Sequence, residues 1–281
     1  MIRVLQVLSG LHLGGVQSVV MNYYRFIDKS AIQFDFAVMD KEKGCLEDEA
    51  VRLGAHIYRL PDIKEERKKF ETELKNILRT HPEITIVHSH LNFLNYYVLR
   101  AAKQAGIKRR VSHSHSNYKA RSILVAMGRT ILRKLIVKTA TDLWACSEEA
   151  GIWLYGKTAV KGKRFRLIYN AVDIDLYSKA LGRRDDFRKR LGFADEKVLV
   201  HVGSLGKGKN QIFLLNVLYL LKGKNEKAKL ILIGGGKEEG YLREQTENLG
   251  ITDKVIFTGW IQNVCDYLAA GDIFVFPSLF E

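Results

Sequence analysis

The chain has 281 residues, 47% of them apolar, enough for one large core or two smaller ones, and 45 Lys and Arg stand against 31 Asp and Glu for a formal charge of +14. That charge favours anionic partners, but the basic residues are dispersed and show no helix-turn-helix, RNA-recognition or zinc-finger pattern, so nucleic acid is not expected. The short apolar start "MIRVLQVLSG", the lack of any run of about 18 uninterrupted apolar residues, and three scattered cysteines (Cys45, Cys146, Cys265) argue for a reduced, cytoplasmic protein with no membrane span.

The first strand signal, "RVLQVL" at 3–8, runs into "SGLHLGGVQSVV", where Gly14 and Gly15 precede a helix whose apolar positions begin at Val16 and Val19. Amides at a helix start favour an anion, and paired glycines let one approach closely; the alternative is a turn that merely needs glycine. The stretch is not the G-x-G-x-x-G dinucleotide fingerprint. Further short apolar runs follow at 34–38, 56–60, 84–89 and 109–114, separated by helical patterns, which is the alternation of βαβ units in a parallel sheet.

Two of these runs end in H-x-H: "VHSHLNF" with His88 and His90, and "VSHSHSN" with His113 and His115. If the strands are neighbours, four imidazoles meet, because residues two apart share a face. A metal site is one reading, although no adjacent carboxylate completes a hydrolytic set. Histidines hydrogen-bonded at strand ends is the reading expected for His88 and His113, whereas His90 and His115, nearer the strand tips, are candidates for substrate contacts.

At 119–138, Ile123, Leu124, Met127, Ile131, Leu132, Leu135 and Ile136 fall on one helical face, among Lys119, Arg121, Arg129, Arg133, Lys134 and Lys138. Such a stripe is expected to pack onto the sheet, the usual fate of a globular amphipathic helix; the alternative is docking on an anionic membrane surface. Strand signals recur at 142–146 and 165–169, and the polar stretch 170–186 reads as a linker. The pattern then restarts with runs at 197–203, 229–234, 254–259 and 272–277, a second and smaller α/β unit. The expected domains are 1–172 and 173–281.

In the second unit, "HVGSLGKGKNQ" carries a strand into a turn with Lys207 and Lys209 and a helix from about Asn210. Loop amides, a helix dipole and ammonium groups together suit a diphosphate. A glycine turn recurs one unit later at Gly234, Gly235 and Gly236, so a nucleotide-sized groove is expected along one side of the sheet.

Taken in order, these stretches resemble the retaining, nucleotide-sugar-dependent glycosyltransferases with two Rossmann-like domains, the GT-B fold, especially those that build bacterial capsular or exopolysaccharides. "GGVQSVV" is similar to that family's first glycine loop, "VHSH" and "SHSHS" to its histidine-bearing strand ends, and "LIYNAVD" with Asn170 and Asp173 to its hinge. "VGSLGKGKN" resembles its donor-phosphate loop, and "LAAGDIFVFPSLFE" the approach to its paired glutamates. The resemblance implies sugar transfer from a nucleoside diphosphate sugar, with retained configuration, to a saccharide or lipid-linked acceptor, without metal or other cofactor.

On that likeness Glu281, His115 and Lys209 are the catalytic candidates. Gly203, Ser204, Lys207, Asn210, Gly234, Gly236 and Gly259 would line the donor, while Gly14, Gly15, Gln17, His90 and Asn170 would serve phosphate or acceptor. Glu281 matches the first glutamate of the pair; the second would fall eight residues on, so the sequence is expected to be a piece of a longer enzyme. Ser204 departs from the family's usual arginine, and Tyr169 and Ala171 depart from its hinge. Two rival readings remain at this point, a metal-dependent hydrolase built on the histidine pairs and a non-catalytic nucleotide-sugar-binding protein.

Overall fold

The computed structural model describes residues 1–117, 122–224 and 226–279. The chain divides into two compact units, residues 1–172 and 173–281. Among the described residues, the first unit holds a seven-stranded sheet built from β1 (Ile2–Leu8), β2 (Ile32–Val38), β3 (Ile57–Arg59), β4 (Ile84–Ser89), β5 (Arg109–Ser114), β6 (Asp142–Ala145) and β7 (Phe165–Leu167). Its order is β3-β2-β1-β4-β5-β6-β7, and every pairing is parallel. The order reverses between β1 and β4, and a crevice beyond the carboxyl ends of strands at such a switch point is where α/β sheets bind ligands.

Both faces are covered, as continuous apolar strands require. Leu5, Val7 and Val87 pack with Phe70, Leu74 and Val98 on one face, while Leu8 and Phe36 pack with Val20, Met21 and Tyr24 on the other. Each fully buried aromatic or aliphatic side chain here contributes roughly 1.5–3 kcal/mol.

The second unit's sheet joins β8 (Lys197–Val202), β9 (Ala228–Ile233), β10 (Val255–Gly259) and β11 (Ile273–Phe274) in the order β10-β9-β8-β11, again parallel. Its switch point lies between β8 and β11. β11 is shorter than the apolar run 272–277 suggests. The Val275 amide still donates to the Val200 carbonyl, but Pro277 has no N–H with which to extend the ladder.

Two expectations are corrected. Residues 170–186 are not simply a linker: helices Ile174–Leu181 and Arg184–Arg190 fold into the second unit. Asp173 caps the first, accepting from the Leu176 amide, and Arg184 and Arg188 of the second bond Asp272 and the carbonyls that end helix Val264–Ala270. The second helix is held by these arginine contacts to residues far along the chain, which its own sequence does not display, and the first packs through Ala180 against Cys265 and Ala269.

The second correction concerns the basic helix, which spans Ile123–Thr139 and is capped by Ser122. Only its C-terminal half packs as expected, through buried Ile136 with Ala140 and Leu143. Ile123 and Leu124 are each 80% exposed, Met127 60% and Ile131 61%. Lys119 and Arg121 lie outside the described residues.

Candidate functional site

In the first unit, alternation along β1, β4, β5 and β6 puts Gln6, His88, His113 and Trp144 on one face of the sheet, with His90 and His115 just beyond the strand ends. All four histidines meet. His88 Nε2 lies 3.1 Å from His113 Nδ1, and His90 Nδ1 lies 2.8 Å from His115 Nε2. His90 Nε2 donates to Gln6 Oε1 at 2.8 Å, so Nδ1 accepts from His115 Nε2–H. Trp144 stands edge-on to His88.

Burial, with the neighbouring imidazoles adding repulsion, lowers the basicity of these rings. His88 is held at about 3 and His115, through burial alone, at about 4; His90 and His113 also lie well below the ordinary histidine range. At neutral pH the cluster is uncharged. His90 is more enclosed than expected, with both ring nitrogens bonded to protein groups, whereas His115 keeps partial exposure. Gln6 escaped the sequence reading, although a lone amide inside the apolar run "VLQVL" was the available signal.

At the end of β1, Gly14 precedes helix Gly15–Phe26, and a Cβ at Gly15 would meet open space. Gln17 folds back over this loop, its Nε2 donating to the Gly10 carbonyl at 3.3 Å. Asn170 is exposed, in a segment whose neighbours Tyr169 and Ala171 accept hydrogen bonds at their carbonyls from Tyr23 and Asn22 of that helix.

In the second unit the carboxyl ends of β8, β9 and β10 carry Gly203, Gly234 and Gly259 side by side. The Gly203 amide donates to the Ile233 carbonyl and the Gly234 amide to the Gly259 carbonyl. Gly234 has φ +123°, and a Cβ there would stand 2.2 Å from the Gly203 carbonyl oxygen, so only glycine fits. A Cβ at Gly236 would likewise stand 2.3 Å from the Leu205 carbonyl oxygen. The result is a row of bare backbone along the strand tips, bordered by the exposed indole of Trp260.

Lys207–Lys209 form a single 3₁₀ turn, and Asn210, left-handed at φ +55°, starts helix Gln211–Gly223. This turn is tied to the chain beyond β11. Asn210 Nδ2 donates to the Pro277 carbonyl at 3.2 Å, the Leu279 amide donates to the Gly208 carbonyl at 2.9 Å, and Lys209 Nζ lies 5.5 Å from the Phe276 ring centroid. The lysine turn therefore sits at the switch point between β8 and β11. Glu281 lies outside the described residues. Ser204 is exposed, and its carbonyl accepts from Gln211, whose amide also bonds the buried His201 ring. A pocket of about 490 Å³ opens beside the turn, lined among others by Lys207, Asn210, Glu238 and Tyr241.

Comparisons with known proteins agree with this geometry. Residues 13–176 match the model for Glycosyltransferase Family 4 and residues 183–281 the model for Glycosyl transferases group 1. EpsF of Bacillus subtilis (strain 168), named as a glycosyltransferase, is 32% identical over 99% of this chain and 74% of its own length. The capsular polysaccharide biosynthesis glycosyltransferase CapH of Staphylococcus aureus is 26% identical over 100% of this chain and 76% of its own. Among solved structures, Anabaena Alr3699/HepE in complex with UDP-glucose superposes with a TM-score of 0.78 at 18% identity, covering 98% of this chain and 74% of that one. The two parallel sheets, the two family matches and the likeness to EpsF over 99% of this chain together place the chain among the glycosyltransferases of the GT-B fold.

Proposed function

We propose that this glycosyltransferase moves a sugar from a nucleoside diphosphate sugar, with retention of anomeric configuration, to a lipid-linked saccharide in cell-surface polysaccharide synthesis. The observation that carries the reading is the bare backbone row at Gly203, Gly234 and Gly259 with the lysine turn at the adjacent switch point. Such a row admits a diphosphate to within hydrogen-bond reach, and Lys209 and the amides starting helix Gln211–Gly223 stabilise the charge that develops on it as it departs. Lysine and amide dipoles supply the counter-charge, so transfer needs no metal. Lys207 supplements Lys209 where Ser204 offers no cation, and Asn210, Gly236 and Gly259 shape the rest of the donor groove.

Glu281 orients hydroxyls of the donor sugar. His115, neutral and partly exposed, hydrogen-bonds the donor sugar and acceptor without acting as a proton donor at neutral pH. The Gly14 and Gly15 amides add to phosphate binding, with Gln17, His90 and Asn170 supporting the acceptor side. The names of CapH and of the HepE complex support a polysaccharide product and a uridine diphosphate donor. Membership of a transferase family displaces the hydrolase reading.

A lipid-linked acceptor fits the helix Ile123–Thr139. Its exposed Ile123, Leu124, Met127 and Ile131 lie among Arg129, Lys134 and Lys138, and the helix carries no acidic residue. That combination suits peripheral contact with an anionic leaflet, the cytoplasmic face of the membrane. Among the described residues no helix is long and apolar enough to cross a membrane.

Calorimetric titration of UDP and GDP into the protein tests the donor half: one nucleotide binds, Lys209→Ala weakens it at least tenfold, and binding of neither overturns the reading. Nuclear magnetic resonance of a transfer product, run with and without chelator, reports retention and metal independence. Flotation with phosphatidylglycerol vesicles, lost in Leu124→Asp with Ile131→Asp, tests the membrane contact.

A further inference from the structure

The histidine cluster of the first unit is more elaborate than a sugar contact requires. Ring centroids stand 4.2 Å apart for His88 and His90, 5.2 Å for His88 and His113, 5.3 Å for His90 and His113, and 4.0 Å for His113 and His115. One ring nitrogen from each of His88, His90 and His113 lies within 4.8 Å of the others. Tetrahedral zinc with Zn–N distances of about 2.0–2.1 Å sets neighbouring nitrogens roughly 3.3 Å apart. The His88–His113 pair at 3.1 Å and the His90–His115 pair at 2.8 Å already stand close to two such edges.

The surroundings fit an ion as well. A ligating imidazole is normally fixed by a hydrogen bond from its other nitrogen, and Gln6 Oε1 holds His90 in that way, with the Nδ1 lone pair turned toward His115. His113 Nε2 has no hydrogen-bond partner among the described residues, so this outer nitrogen is open to carry the ring's proton when Nδ1 holds the ion. An all-imidazole set without carboxylates suits zinc and its borderline neighbours rather than magnesium or calcium.

We propose that His88, His90 and His113, with His115 as fourth donor, bind one zinc ion, and that its occupancy withdraws His115 from substrate and inhibits transfer. The inhibitory half rests on the role assigned above to His115; the ion site does not. Zinc exchanges the two imidazole–imidazole hydrogen bonds for coordination, each bridging proton being relocated, through solvent, to the outer nitrogen of its own ring so that every ligand stays a neutral imidazole.

Zinc chloride titrated into chelator-stripped protein, with cobalt(II) as a spectroscopic substitute, tests the site without any nucleotide present. One zinc per chain and the intense visible bands of four-coordinate cobalt are expected. His88→Gln with His113→Gln should weaken zinc at least 100-fold, and Gln6→Ala, which removes only the hydrogen bond that orients His90, about 10–100-fold. The control His12→Gln with His81→Gln, at exposed positions, should leave affinity unchanged. If the cluster variant does not fold, as judged by circular dichroism, the wild-type cobalt spectrum and Gln6→Ala decide. Less than one zinc per chain at micromolar free metal, weak octahedral cobalt bands, or equal loss in the control overturns the site. Zinc bound stoichiometrically with an unchanged transfer rate overturns the inhibition, whereas failure of any nucleotide to bind would count against the transferase reading and leave the metal measurement standing.

Discussion

The two units place polar groups at the same topological position, the switch point of a parallel sheet, but build them from opposite materials. The first uses side chains: Gln6 and four imidazoles, uncharged, bonded to one another and, His115 apart, buried. The second uses backbone, stripped of side chains at Gly203, Gly234 and Gly259, with lysines added on one turn. A side-chain site of this kind refuses protons, since a buried ring stays neutral, and can take a cation only through its nitrogen lone pairs. A bare backbone row admits an anion, since no side chain keeps it from the lysine turn and the helix start beside it. The difference predicts that perturbing the second unit changes binding of an anionic ligand, whereas perturbing the first changes stability with pH and the binding of a metal cation.

The largest expected effect is at Lys209. If the second unit neutralises a leaving diphosphate, Lys209→Ala should lower the transfer rate by about 10²–10³-fold, as loss of one preorganised group at a developing charge does elsewhere. Measured kcat near wild type would detach the lysine turn from the chemistry. Gly234→Ala tests the backbone row directly. Its Cβ would collide with the Gly203 carbonyl at a φ that alanine rarely adopts, so the second unit should lose about 3 kcal/mol or more, read by urea unfolding. Gly15→Ala, in the first unit's loop with open space around it, should fall within about 0.5 kcal/mol of wild type.

The pH dependence probes the other half of the contrast. His88 and His115 are lowered in the fold to about 3 and about 4, so below pH 6.5 the unfolded chain takes up protons that the folded chain refuses. Stability is therefore full above the ordinary histidine value and is lost as pH falls through the window from 6.5 toward 4. Each ring contributes a slope of at most about 1.4 kcal/mol per pH unit. Urea unfolding of chelator-stripped protein at pH 7.0 and 5.5 should show the loss, and His88→Gln should flatten it. An unchanged midpoint would mean that the rings are more hydrated than their burial indicates.

Most strands were legible because parallel strands buried on both faces are written as runs of Val, Ile, Leu and Phe, as at 84–89 and 109–114. The glycine turns were legible too, since only glycine tolerates what Gly234 must do. Less legible were features set by distant partners. Helix Arg184–Arg190 looked like a polar linker because Arg184 and Arg188 find their partners more than eighty residues away, and helix Ile174–Leu181 because it buries little more than Ala180, against Cys265 and Ala269. The exposed half of helix Ile123–Thr139 misled in the other direction: an apolar stripe says that something covers it, not what. The joining of the four histidines was foreseeable only on the condition that β4 and β5 were neighbours, which they are.

The smallest predicted effect concerns Ser204, where the sequence departs from its family's pattern. Ser204 is exposed beside the glycine row, its carbonyl is held by Gln211, and among the described residues its side chain makes no hydrogen bond. Arginine there can keep the carbonyl contact, because that contact belongs to the backbone, and can extend its guanidinium over the same anion that Lys209 meets. Ser204→Arg should therefore leave stability within about 0.5 kcal/mol and tighten nucleoside diphosphate binding several-fold at low salt, the gain fading as salt screens it. A bidentate guanidinium is worth most where a phosphate's oxygens are already fixed by backbone amides. If the variant instead binds nucleotide no better, the phosphate does not pass Ser204, and the anion would have to lie nearer Lys207 and the pocket beside Glu238. The backbone row would then serve the sugar rather than the diphosphate, and the contrast between the two units would be one of hydrogen-bonding groups rather than of charge.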